Sequence, residues 1–135
     1  MTSIPVSSIT ETDKAPIVQR PLLDSGLATG LGELFKVLSS STRLRLLHAL
    51  VRQPDLCVGE IAKEIGMSIQ SVSNQLQDLL DKEILGSRKN GLKVHYRILD
   101  PCVVILLDRG LCLLEDLPLR RVADRGEGSD RESRP

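Results

Sequence analysis

A short helix, a three-residue turn holding Gly66, a second amphipathic helix, an Asn-Gly hairpin directly after it and a final helix apolar on nearly every side follow one another. Together they predict a mainly α fold with a small β-hairpin, a winged helix-turn-helix with a helical dimer interface.

The chain of 135 residues suits one domain, and its ends differ from its middle. Residues 1–24 are rich in Ser, Thr and Pro with no sustained period, and residues 118–135 are dense in charge, Gly and Ser. Neither stretch can bury enough apolar surface to offset the entropy of ordering it. An N-terminal arm and a C-terminal tail, both disordered, are therefore expected around a folded domain at 25–117.

Leu27, Leu31, Leu34, Phe35 and Leu38 recur at helical spacing and predict a first helix over about 27–38. Ser39, Ser40 and Ser41 break it and offer an N-cap to a second helix, marked by Leu44, Leu47, Leu50 and Val51 and running to about Gln53, before Pro54 and Asp55. A third helix is expected over Val58–Ile65, stopped by Gly66. Ser68 caps a fourth, about Ile69–Glu83, whose buried stripe is Val72, Leu76, Leu79 and Leu80. Asn90-Gly91 signals a hairpin, and Leu92, Val94, Tyr96 and Ile98 alternate with Lys93, His95 and Arg97 as a half-buried strand paired with Leu85–Lys89. Asp100 and Pro101 open the last helix, about Pro101–Leu117. A helix so apolar must be covered, and the remaining domain is too small to cover it, so a second chain is expected to.

The buried stripe of the fourth helix turns Gln70, Ser71, Ser73, Asn74 and Gln77 outward, close to the capping Ser68. Small uncharged donors and acceptors suit base edges and phosphates in a major groove; Lys or Glu would be more usual on a merely solvated face. Arg88, Lys89 and Lys93 at the hairpin suit the phosphate backbone. The formal charge is zero overall, but basic residues outnumber acidic ones between Ser39 and Arg97, mostly within 88–97. The expected partner is double-stranded DNA. A winged-helix module for protein–protein contact is the alternative from another class, and salt-dependent binding to duplex separates the two. A thiol enzyme is a third and poorer reading, because no Cys has a His base near it in sequence and no phosphate-binding Gly loop occurs.

Three cysteines, Cys57, Cys102 and Cys112, form no secreted disulfide scaffold, and a reducing cytoplasm is expected. The apolar run from Cys102 to Leu117 is interrupted by Asp108 and Arg109 and is too short to span a bilayer, so no membrane association is expected.

The stretches Leu38-Ser-Ser-Ser-Thr-Arg-Leu, Asp55-Leu-Cys-Val-Gly-Glu-Ile-Ala, Ser71-Val-Ser-Asn-Gln-Leu and Gly91-Leu-Lys-Val-His-Tyr-Arg-Ile resemble the ArsR/SmtB family in order and spacing. The resemblance implies a homodimeric transcriptional repressor that leaves its operator when an inducer binds. Asn74 departs from it, standing where many members carry His, which alters base preference rather than fold. The family also implies two sensor positions. At the third helix, members that bind soft ions carry Cys-Val-Cys, but here Cys57-Val58-Gly59 lacks the second thiol. At the last helix, zinc-type members carry Asp-x-His and later His-x-x-Glu/His. Here Asp100-Pro101-Cys102 and Cys112-Leu113-Leu114-Glu115 stand instead, with a gap one residue shorter.

An intersubunit site of Cys102 and Cys112, with Asp100 or Glu115, would suit a soft or borderline inducer: zinc, cadmium, mercury or arsenite. Apolar packing of these cysteines in a dimer core is the competing reading. A redox-sensing repressor is a third. Cys102 and Cys112 are about 15 Å apart along one helix, so a disulfide would need partner chains or Cys57.

Overall fold

The computed structural model describes residues 14–117; the remainder of the expected arm, residues 1–13, and the expected tail, residues 118–135, lie outside the described residues. A 3-10 turn at Ile17–Gln19 precedes α1 (Ser25–Val37) and α2 (Ser41–Arg52). Then come β1 (Leu56–Cys57), α3 (Val58–Ile65), α4 (Ile69–Asp81), β2 (Leu85–Asn90), β3 (Lys93–Ile98) and α5 (Pro101–Asp116). The chain divides between Val104 and Ile105 into two units, the second beginning partway along α5.

Side-chain caps set the helix starts. Asp24 accepts from the Leu27 N–H at 2.8 Å, which starts α1 two residues before the first Leu of its stripe despite Gly26. Ser40 accepts from Arg43 N–H and Ser68 from Ser71 N–H, as the sequence predicts. Two helices end through a left-handed residue. After α3 this is Gly66 (φ 72°), with the Met67 N–H reaching back to the Ala62 carbonyl. After α4 it is Glu83 (φ 58°), with Ile84 N–H on the Leu79 carbonyl and Glu83 N–H on that of Leu80. That reversal closes α4 at Asp81, short of the expected Glu83, because an apolar Ile84 and Leu85 must turn into the core.

The core lies among α2, α3, α4 and the root of β2. Leu46, Leu47, Leu50, Ile61, Ile65, Val72, Leu76, Leu79 and Leu85 are its principal buried side chains. Of the four apolar residues that mark α2 in the sequence, only Leu47 and Leu50 are buried. Leu44 and Val51 are exposed, while Leu46 and Ala49 join Leu47 and Leu50 inside. The helix is apolar on two sides, and only the shape of α3 and α4 decides which one is buried. Leu80 is half-buried.

The sheet has three strands in the order β1-β3-β2, all antiparallel, so the expected hairpin gains an edge strand. Leu56 pairs with Tyr96 and Cys57 with His95. The hairpin turn also sits one residue later than Asn90-Gly91 suggests. Asn90 pairs with Lys93, leaving Gly91 (φ 67°) and Leu92 as the two central residues. Gly first and an ordinary residue second is the II′ pattern rather than I′.

No residue of α5 is buried; Leu111, Leu113 and Leu114 are exposed. The apolar stripe of α1 is likewise open at Leu27, Leu31 and Phe35, with only Leu38 beyond its end buried.

Candidate nucleic-acid interface

Helix α4 is held by its apolar side. With Val72, Leu76 and Leu79 fixed in the core, Ser68, Gln70, Ser73, Asn74 and Gln77 stand exposed on the other side, and Ser71 is half-buried. The Ser68 hydroxyl accepts the Ser71 N–H at 3.1 Å and donates to the Ser71 hydroxyl at 3.0 Å, which fixes the first turn. The Gln70 amide donates to Asn74 Oδ1 at 3.1 Å, and that of Gln77 to Asp81 Oδ1 at 2.9 Å. The result is an ordered amide-and-hydroxyl surface along the helix, of which Ser68, Gln70, Ser73 and Asn74 lie in the N-terminal half, where the dipole favours a phosphate.

On the hairpin, Lys89 and Lys93 are exposed. Arg88 is engaged, its guanidinium lying 3.7 Å from the Asp55 carboxylate. The His95 ring meets the Asp55 carbonyl through Nδ1 at 2.7 Å, and because a carbonyl only accepts, Nδ1 carries the proton. Asp55 itself is left-handed (φ 65°), a conformation uncommon outside Gly, Asn and Asp. These contacts root the wing beside β1. Nothing in the sequence spacing joins Asp55 to residues 33 and 40 positions later.

Replacing Lys89 and Lys93 with Ala together is expected to weaken binding to every duplex alike and to flatten the salt dependence by about 2 in log–log slope. Fluorescence anisotropy across a salt series measures this, and an unchanged slope would remove both from the phosphate contacts.

The thiols lie apart. Cys57 ends β1 as the N-cap of α3, where its N–H donates to Glu60 Oε1 at 2.9 Å and lowers the Glu60 carboxyl below its usual range. Cys102 lies in the first turn of α5, its N–H donating to Asp100 Oδ1 at 2.8 Å. Burial, then the hydrogen bond and charge of Asp100, push its thiol up. The Cys112 thiol, 3.6 Å from Asp116 Oδ2, is pushed up chiefly by that carboxylate's charge. Glu115 is exposed. Among the described residues no three His, Cys, Asp or Glu side chains gather into a cluster that could hold a metal ion within one protomer. No helix among them is long and apolar enough to cross a membrane.

A polar helix presented in front of a helix-turn-helix, with a cationic hairpin beside it, defines a DNA-binding regulator of the winged helix-turn-helix class. The family "Bacterial regulatory protein, arsR family" matches residues 40–86. The cadmium resistance transcriptional regulatory protein CadC of Listeria innocua serovar 6a is 35% identical over 83 residues, covering 62% of this chain and 70% of that one. The crystal structure of AntR, an antimony-specific transcriptional repressor, is 48% identical and superposes with a TM-score of 0.67, covering 79% of this chain and 96% of that one. The solution structure of a homodimeric winged helix-turn-helix DNA-binding domain from Mycobacterium bovis is 25% identical, with a TM-score of 0.62, over 72% and 89% of the two chains. The chain belongs to the arsR family of bacterial transcriptional regulators, which are DNA-binding proteins and not enzymes.

Proposed function

We propose that this protein is a cytoplasmic homodimeric repressor whose α4 helices enter major grooves of an operator, and which lets go when a thiol-seeking ion binds. Residues 25–117 are the DNA-binding and dimerising domain in this reading. The observation that carries it is the open amide-and-hydroxyl face of α4, at Gln70, Ser73, Asn74 and Gln77, beside exposed Lys89 and Lys93. Dimerisation is supported by the exposed leucines of α1 and α5 and by the homodimeric relative.

The ion is assigned from donor chemistry. Three thiols per chain suit a soft ion, and antimony is the ion of AntR, the 48% identical repressor. Cys102 and Cys112 are the proposed ligands, with Asp100, Glu115 and Cys57 as further donors. With no three-donor cluster among the described residues of one protomer, the complete set of ligands in this reading draws on two copies of the chain. Bound there, the ion would tie protomers together and change how their heads are held.

The test uses the full chain and a duplex that it selects from a randomised pool. Two protomers should bind per duplex, and antimonite, arsenite, cadmium or zinc, offered singly, should identify the releasing ion. Binding that survives all four would sink the inducer assignment, and absence of any duplex selection would sink the repressor. Within the same assay Asn74→Ala should lose about 1–3 kcal/mol of discrimination at its base position. Equal discrimination would place Asn74 outside the reading set.

A further inference from the structure

Arg43, near the start of α2, makes three separate connections through one guanidinium. Its Nη1 donates to the Val37 carbonyl at 3.2 Å, at the end of α1. Its Nε donates to Gln75 Oε1 at 2.7 Å, and its Nη2 pairs with Asp78 Oδ2, both on α4. The side chain is largely enclosed, at 19% exposure. Gln75 and Asp78 are three residues apart and half-buried, flanking the core stripe rather than joining the exposed face of Gln70, Ser73, Asn74 and Gln77. The Val37 carbonyl belongs to the last turn of α1, where no further helical N–H is available to it. The rest of α1 presents open apolar side chains and supplies little else to fix its angle.

From this geometry we infer that Arg43 is a positioning residue that locks the angle between α1 and the DNA-reading helix α4. The inference rests on the proposed dimeric, operator-binding reading. In it α1 contributes to contact between protomers, so its angle to α4 sets where each reading helix stands on the duplex. A planar guanidinium with several N–H groups in fixed directions can serve three acceptors on two helices at once; an ammonium cannot reproduce that spread. Asp78 also has Lys82 at 2.9 Å, so removing Arg43 does not leave that carboxylate unpaired.

The experiment compares wild type, Arg43→Lys and Gln75→Met on two probes, the duplex selected by wild type and a random-sequence duplex of equal length. Arg43→Lys preserves charge and should keep the circular dichroism spectrum, the dimer mass and the affinity for random duplex with its salt slope. Its preference for the selected duplex should fall about tenfold or more. Gln75→Met should lose part of the same preference, and the double variant less than the sum of the two, as expected of one network.

An unchanged preference in both single variants would overturn the inference. So would equal weakening on both duplexes in step with a lowered unfolding temperature, which is the mark of a merely structural residue. A wild-type protein with no preference between the duplexes would overturn the operator-binding reading itself, and the inference with it.

Discussion

Replacing Cys102 and Cys112 together by Ser is expected to yield a protein that folds, dimerises, binds its selected duplex with unchanged affinity and no longer releases it in antimonite. Neither thiol lies in the buried core, and neither is on α4 or the hairpin, so fold and DNA contact should survive. Wild type should release the duplex as antimonite is titrated in; the double variant should show no release over the same range, while Cys57→Ser tests the third thiol separately. Normal release from the double variant would confine Cys102 and Cys112 to packing.

The pH dependence separates two classes of inducer. Burial and Asp100 raise the Cys102 thiol, and Asp116 raises that of Cys112, so in the proposed reaction both would enter protonated at neutral pH. Antimonite is a neutral trihydroxide. Each S–H it meets gives up its proton to a leaving hydroxide, one Sb–S bond replaces one Sb–O bond, and a water departs with no change of oxidation state. No net proton is released, so its potency should be flat from pH 6 to 8. A divalent cation such as cadmium drives a proton into solvent from each thiol it binds, so its potency should rise about tenfold per pH unit for each such thiol.

The second large effect concerns stability. Leu76→Ala should destabilise the protein by about 2–5 kcal/mol, because Leu76 is 1% exposed and its removal leaves a cavity under the reading helix. Native domains are stable by only about 5–15 kcal/mol, so much of the reserve goes. Urea unfolding at fixed protein concentration measures it, since the stability of a dimer depends on concentration. A loss below about 1 kcal/mol would mean that the surrounding Val72 and Leu79 collapse into the space.

Much of the fold was legible because its signals are local. Ser68, Gly66 and Pro101 act within one turn of where they stand, so the bounds of α3, the start of α4 and the start of α5 follow from the sequence. The polar face of α4 follows from periodicity once Val72, Leu76 and Leu79 are placed inside. What escaped was set by partners far along the chain. β1 has two residues and exists because Leu56 and Cys57 meet Tyr96 and His95. The buried face of α2 was decided by neighbouring helices, and the hairpin turn by strand register, which put Gly91 rather than Asn90 in the left-handed position. The Arg43 network joins α2 to residues more than thirty positions away, and the Arg88–Asp55 ion pair spans a similar distance along the chain.

The edge strand has a mechanical consequence. With β3 flanked on both sides, and with Arg88 and His95 fastened to Asp55, the hairpin cannot swing without unzipping β1 and breaking those bonds. Wing and reading helix therefore travel as one stiff head. In the proposed two-fold repressor, release from the duplex would then come from altering the pitch between two intact heads until they miss successive turns of the double helix.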